Sequence, residues 1–267
     1  MNLIYQYWDG DLRSGVEASR KNIAEYAARI GAEHRFEHNP RYFAKSLGAE
    51  SKYYGAFRPI HDNEFDQYDN VLFLDSDIFA VDDLQENVFD AFSSESEIGM
   101  CTEPFQPEQR TITLGQITSA RDEKWAKIIK QIWGADLPRT EEGLLQVYNS
   151  GVVLYSREAR IKARERFVDF KEYIQKMKSS GMINFYALDQ NYLHAMIFIC
   201  DMKLQEMHNG WNSYIHYTRD RNNPNKRVND CRTSETKLVH AQGAGLDRLD
   251  EEALYRVVNL PESEWKI

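Results

Sequence analysis

Val71-Leu72-Phe73-Leu74-Asp75-Ser76-Asp77-Ile78-Phe79 is an apolar run that ends abruptly in two carboxylates flanking one small residue. Four apolar residues between Asp69-Asn70 and the acidic pair read as a strand buried on both faces, the pattern of a parallel sheet. Open α/β sheets bind ligands at the carboxyl ends of their strands, and this strand delivers its acidic pair there. On an extended chain, residues i and i+2 point the same way. Asp75 and Asp77 therefore converge on one hard cation if the strand continues through Ser76. A cation held there faces a phosphate. Asp and Ser are also ordinary turn formers, so a solvated turn is the competing reading.

Upstream, residues 2–8 read as a first strand and residues 34–37 as a second. Between them lies a helix in which Ser14 and Glu17 are spaced as a capping box, with Val16, Ile23, Ala27 and Ile30 on one stripe. Residues 51–60 predict a helix broken near Pro59. Downstream, the pattern predicts a short strand over 98–101, a long loop over 103–118 and a helix begun by Ser119 and ended by Gly134. A strand over 147–155 follows, then one long charged helix capped by Ser156 and running through Met177. Further on come a helix near 186–199, a strand near 203–207, an exposed polar loop over 218–232, a last strand at Leu238-Val239 and a closing helix after Leu249.

With 267 residues, 42% of them hydrophobic, the chain can bury a substantial core, and one domain is expected. A formal charge of −9 argues against a broad surface for a polyanion, so nucleic acid is disfavoured, though not excluded, as a partner. The local concentration of Arg219, Arg221, Lys226, Arg227 and Arg232 suits either a diphosphate or plain solvent. Cys101, Cys200 and Cys231 are odd in number and lack metal-ligand spacing, which implies reduced thiols and a cytoplasmic location. Residues 1–10 read as neither a signal peptide nor an anchor, and no apolar run reaches the length of a membrane span.

Four segments together resemble a known fold family. The 71–79 stretch is similar to the D-x-D strand of GT-A glycosyltransferases, and Tyr148-Asn149-Ser150-Gly151-Val152-Val153-Leu154 to their N-S-G-V strand. Asp189-Gln190-Asn191 is similar to their D-Q-(D/N) segment and His240-Ala241-Gln242-Gly243 to their H-x-x-G. The likeness runs over about residues 1–245 and is nearest to the retaining, glycogenin- and galactosyltransferase-like group, glycosyltransferase family 8. It implies an α/β fold: a single GT-A (Rossmann-like) domain over 1–267 with a mainly parallel central sheet flanked by helices. It further implies metal-dependent transfer, with retention, of a sugar from a nucleotide-diphospho-sugar, UDP-linked, to a glycan, lipid-linked or protein acceptor.

On that resemblance Asp75, Asp77 and His240 hold Mn²⁺ or Mg²⁺, and the imidazole favours Mn²⁺. Ser76 reaches the donor ribose. Gln6, Tyr7 and Trp8 receive the nucleotide base, although packing of an aromatic strand accounts for them equally well. Lys52 and Arg58 are rival positions for a basic residue facing the donor, and both also suit a solvent-facing role. Asn149 and Ser150 meet a sugar hydroxyl, with Gly151 leaving room for close approach. Asp189 and Gln190 sit near the anomeric carbon, where an amide suits a front-face mechanism better than double displacement.

The chain departs from the group after H-x-x-G, where Ala244-Gly245-Leu246 places a leucine at the position of a diphosphate-contacting lysine. Gly243 and Gly245 then offer backbone N–H groups to phosphate, with Arg248 or an arginine of 219–232 as a substitute cation. Two other readings stay open. A HAD-like phosphohydrolase also places D-x-D after a strand, with one Asp as nucleophile, and a non-catalytic GT-A-like module binds nucleotide sugar or glycan without turnover.

Overall fold

Val71, Leu72, Phe73 and Leu74 are each at most 1% exposed, so the strand carrying the acidic pair is covered on both faces. The computed structural model describes residues 1–40, 48–103, 111–112, 117–218, 227–243 and 245–265. In chain order the elements are β1 (Asn2–Trp8), α1 (Ser14–Arg29), β2 (Glu33–His38), α2 (Arg58–His61), β3 (Asn70–Leu74), β4 (Ile78–Ala80) and β5 (Ile98–Thr102). They continue as β6 (Thr111–Ile112), β7 (Ile117–Thr118), α3 (Ser119–Trp133), β8 (Tyr148–Ser156), α4 (Arg157–Arg166), α5 (Phe170–Ser179) and α6 (Asp189–Ile199). β9 (Leu204–Glu206), β10 (Ser213–Thr218), β11 (Arg227–Asp230), β12 (Leu238–Gly243) and α7 (Glu251–Asn259) complete the chain.

The main sheet among the described residues has six strands in the order β2-β1-β3-β8-β5-β9. Pairs β1·β2, β1·β3 and β5·β9 are parallel, and β8 runs antiparallel between β3 and β5. Helices flank both faces, as expected of a mainly parallel sheet. Val71 and Phe73 join Tyr5, Val153, Trp125, Leu193 and Met196 in one core cluster, while Leu72 and Leu74 join Ile4, Ile23, Val152 and Leu154 in another. Alternate residues of β3 thus bind the helices on opposite faces to one sheet.

A second sheet, β11-β10-β12-β4, packs Phe79, Ile215, Val239 and Ala241 against Leu254, Val257 and Val258 of α7. β4 is the link between sheets: three residues after β3 ends, the chain pairs antiparallel with β12, placing Ile78 opposite His240.

Several local expectations are corrected. Ser14 is the first helical residue rather than the cap of α1; Arg13 holds that position, and Glu17 pairs with Arg20. Residues Gly48–Phe57 form 3₁₀ turns, and Pro59 opens the one-turn α2 instead of breaking a helix, in keeping with its fixed φ and missing N–H. Thr118, not Ser119, caps α3. The long charged helix is two helices, because Phe167 turns extended and Asp169 caps a new start through Lys171 N–H at 2.8 Å. Strands β10 and β11 were not foreseen, and β11 occupies residues read as loop. Of the basic positions in that segment, 219–226 lie outside the described residues. In the 103–118 span, β6 and β7 pair as a short hairpin. No helix among the described residues is long and apolar enough to cross a membrane.

Candidate active site

The acidic pair converges through a turn, not through a continued strand. β3 ends at Leu74, and Ile78 N–H bonds back to the Asp75 carbonyl at 3.2 Å. The turn is pinned on all sides: Asp75 N–H donates to the Gly151 carbonyl at 2.8 Å and Ala241 N–H to the Asp77 carbonyl at 2.9 Å. From behind, the buried Gln6 amide donates to the Asp75 carbonyl at 3.1 Å and to Ser19 Oγ at 3.1 Å, while Ser19 Oγ donates to the Ile78 carbonyl at 2.6 Å. Gln6 therefore braces the turn and does not line the cleft, which corrects its expected place beside the nucleotide base.

The register of β4 against β12 brings His240 to this turn. Its Nε2 lies 3.2 Å from Asp77 Oδ1 and 3.8 Å from Asp75 Oδ2. One ligand atom from each of the three side chains lies within 4.8 Å of the others. His240 is 1% exposed, and its Nε2 has no hydrogen-bond partner. Its ring lies against Tyr214, centroids 4.6 Å apart, and over the Cα of Gly151, where an added Cβ would meet His240 Cε1 at 2.5 Å. Gly151 thus provides close approach for the imidazole. β8 allows this because its pairing with β5 slips between Met100↔Val153 and Cys101↔Asn149, releasing the intervening residues from the regular ladder.

Electrostatically, Asp75 and His240 both depart from their ordinary values. Desolvation and then Asp77 push the Asp75 carboxyl well above the ordinary carboxylate range, against the pull of His240. Desolvation opposes the His240 imidazolium, but Asp77 and then Asp75 outweigh it and raise the imidazole above its ordinary value. A buried imidazole nitrogen facing two carboxylates fits a divalent cation. Such an ion relieves the repulsion and uses the open lone pair.

These groups line a cleft of about 540 Å³ together with Tyr7, Trp8, Ser76, Asn149, Ser150, Asp189, Gln190 and Gly243. Ser150 Oγ donates to Asp189 Oδ2 at 3.0 Å. Desolvation raises the Asp189 carboxyl to about 6, although this hydrogen bond and the N–H groups of Asp189 and Gln190 at the start of α6 pull it down. Gln190 is held at both ends, accepting from Asn149 Nδ2 at 3.0 Å and donating to Glu103 Oε1 at 2.8 Å.

Arg58 does not line the cleft. Its guanidinium pairs with Glu37 and with Glu64 at 2.5 Å, over the Phe65 ring, so it serves the contact between β2 and the segment preceding β3. The Lys52 side chain lies outside the described residues. Gly245, with φ at +94°, and Arg248 are not lining residues, and Leu246 is buried against the α7 layer. Among the described lining residues the sole lysine or arginine is Arg13, which pairs with Asp247 and lies 5.5 Å from the Trp8 ring centroid. Sequence reading missed Arg13, Asp247, Glu103 and Asn212, since none stands in a motif.

No family model and no curated protein matches the chain. Among solved structures it is similar to a glycosyltransferase involved in the glycosylation of the major capsid of PBCV-1. That likeness has 10% identity over 96% of this chain and 99% of that one, with a TM-score of 0.52. It is also similar to mouse xyloside xylosyltransferase 1 in its apo form, with 13% identity over 90% of this chain and 98% of that one and a TM-score of 0.47. The first likeness is one of fold, and the chain has the mixed α/β, GT-A-like arrangement expected from its sequence.

Proposed function

We propose that residues 1–267 form one GT-A domain that transfers a sugar from a nucleotide-diphospho-sugar, UDP-linked, to a glycan, lipid-linked or protein acceptor. The proposal includes the retaining, family 8-like branch. The observation that carries it is the meeting of Asp75, Asp77 and the buried His240 Nε2 at the end of β3, inside a cleft. Mn²⁺, or Mg²⁺, held there would neutralise the departing diphosphate without proton transfer.

The chain's own residues supply the rest. Tyr7 and Trp8 offer aromatic surface for the base, Ser76 a hydroxyl for the ribose, and Asn149 and Ser150 polar groups for the sugar. With Leu246 buried, positive charge at the diphosphate comes, among the described residues, from the cation and Arg13, with Gly243 N–H as a neutral donor. Because the Gln190 amide is engaged at both ends, Asp189 is the group left to stabilise charge at the anomeric carbon. A cytoplasmic location belongs to the same reading.

The test is incubation with UDP- and GDP-sugars, with and without Mn²⁺. Metal-dependent release of a nucleoside diphosphate is expected. Release of inorganic phosphate would favour a phosphohydrolase, and tight binding without turnover would favour a binding module. NMR of the transfer product should show the donor's anomeric configuration; an inverted product contradicts retention.

A further inference from the structure

His240 has a second nitrogen, and what it faces decides what Nε2 can do. Nδ1 lies 3.3 Å from Asn212 Oδ1, and Asn212 Nδ2 lies 2.8 Å from Asn149 Oδ1. Amide ends can be interchanged in isolation. Here they are fixed from two directions.

Asn149 Oδ1 also faces Gly151 N–H at 2.8 Å, and a backbone N–H can only donate, so this atom must be the oxygen. Its other amide partner, on Asn212, is then the NH₂ group, which leaves the Asn212 oxygen toward His240. From the far end, the Glu103 carboxylate accepts from Gln190 Nε2, so Gln190 Oε1 accepts from Asn149 Nδ2. Both ends dictate one polarity for the whole chain. Asn212, Asn149, Gln190 and Glu103 are 2%, 4%, 8% and 6% exposed, so water does not compete freely for these bonds.

We propose that Asn212 is the positioning residue of the cation site: it accepts a hydrogen bond from His240 Nδ1–H and so commits the Nε2 lone pair to a divalent cation shared with Asp75 and Asp77. In neutral His240 one nitrogen carries the proton, and the oxygen of Asn212 holds it on Nδ1. The opposite tautomer would set two acceptors against each other at Nδ1 in a buried site. The Nε2 lone pair then faces two carboxylates, an arrangement made favourable by a cation between them. Glu103, on β5's loop end, keeps the polarity of the relay although it is remote from the cation.

This inference deepens the metal-site part of the proposed function and is tested without any sugar donor. Two measurements decide it. In protein saturated with diamagnetic Mg²⁺, ¹⁵N NMR of His240 should show Nδ1 protonated and Nε2 without a proton; a protonated Nε2 overturns the proposal, and this reading needs no variant. Titration of the purified protein with Mn²⁺ alone, followed by the EPR signal of free Mn²⁺, should give at least about ten-fold weaker binding for Asn212→Leu. Equal Mn²⁺ affinity in folded Asn212→Leu overturns the proposal. Transfer activity that survives that result would leave the glycosyltransferase reading intact, whereas an Asn212-dependent cation site without donor turnover would sink that reading alone.

Discussion

Asp189 carries a cost that a residue selected only for stability would not. Its carboxyl is raised to about 6 in the folded chain, so the folded state binds the proton more tightly than the unfolded state. Ionisation therefore destabilises the fold. The effect is absent below about pH 4, grows between pH 4 and 6 and is complete above that. Asp189→Asn, which keeps an acceptor for Ser150, should stabilise the protein by about 1–2 kcal/mol at pH 7.5. It should have no effect at pH 4; urea denaturation at the two pH values checks this. Gly151 makes a different demand. A Cβ there would lie 2.7 Å from His240 Nδ1, so Gly151→Ala must displace the ring. Mn²⁺ affinity should fall at least about ten-fold. An unshifted titration in a folded variant would remove His240 from the cation site.

Turns and breaks, more than regular strands, decide where the elements place these groups. The 71–74 run was legible as a doubly covered strand because its burial is encoded in four consecutive apolar residues. The geometry of the acidic pair was not. Convergence of Asp75 and Asp77 depends on β4 crossing to a second sheet, and that crossing is set by pairing with β12, some 160 residues later. The end of α4 was readable after the fact, since Asp169 is a good N-cap in the middle of what periodicity joined into one helix. At the other end of α4's packing, Arg160 is fully buried. It donates to the carbonyls of Tyr155 at 3.0 Å, Phe65 at 3.0 Å and Tyr68 at 2.6 Å, tying β8 to the turns that precede β3. Arg160→Met keeps the length and loses these bonds, and should cost about 2–4 kcal/mol in chemical denaturation. A loss under about 0.5 kcal/mol would show that water replaces the guanidinium.

At the scale of the whole molecule, the motifs named the groups that gather at one end of the main sheet. They did not name what holds them. Asp75, Asp77, Asn149, Ser150, Asp189 and His240 stand in short local patterns and all line the cleft. Gln6 and Arg58 were placed by their position along the chain, and the structure turns Gln6 behind the acidic turn and ties Arg58 to Glu37 and Glu64. Asn212 and Glu103 carry no signal, since their role exists only through partners 28 and 87 residues away. The local patterns mark groups that line the cleft; the buried relay is visible only in the fold.

In the proposed function, the floor of this cleft is a divalent-cation site that receives a nucleoside diphosphate. The most direct measurement is a crystal structure of the protein with Mn²⁺ and UDP, with the metal located by its anomalous scattering. One strong anomalous peak is expected within about 2.5 Å of Asp75 and Asp77 carboxylate oxygens and of His240 Nε2, in contact with the diphosphate. An empty Asp75-Asp77-His240 cluster at saturating Mn²⁺, or UDP bound away from it, would contradict that claim.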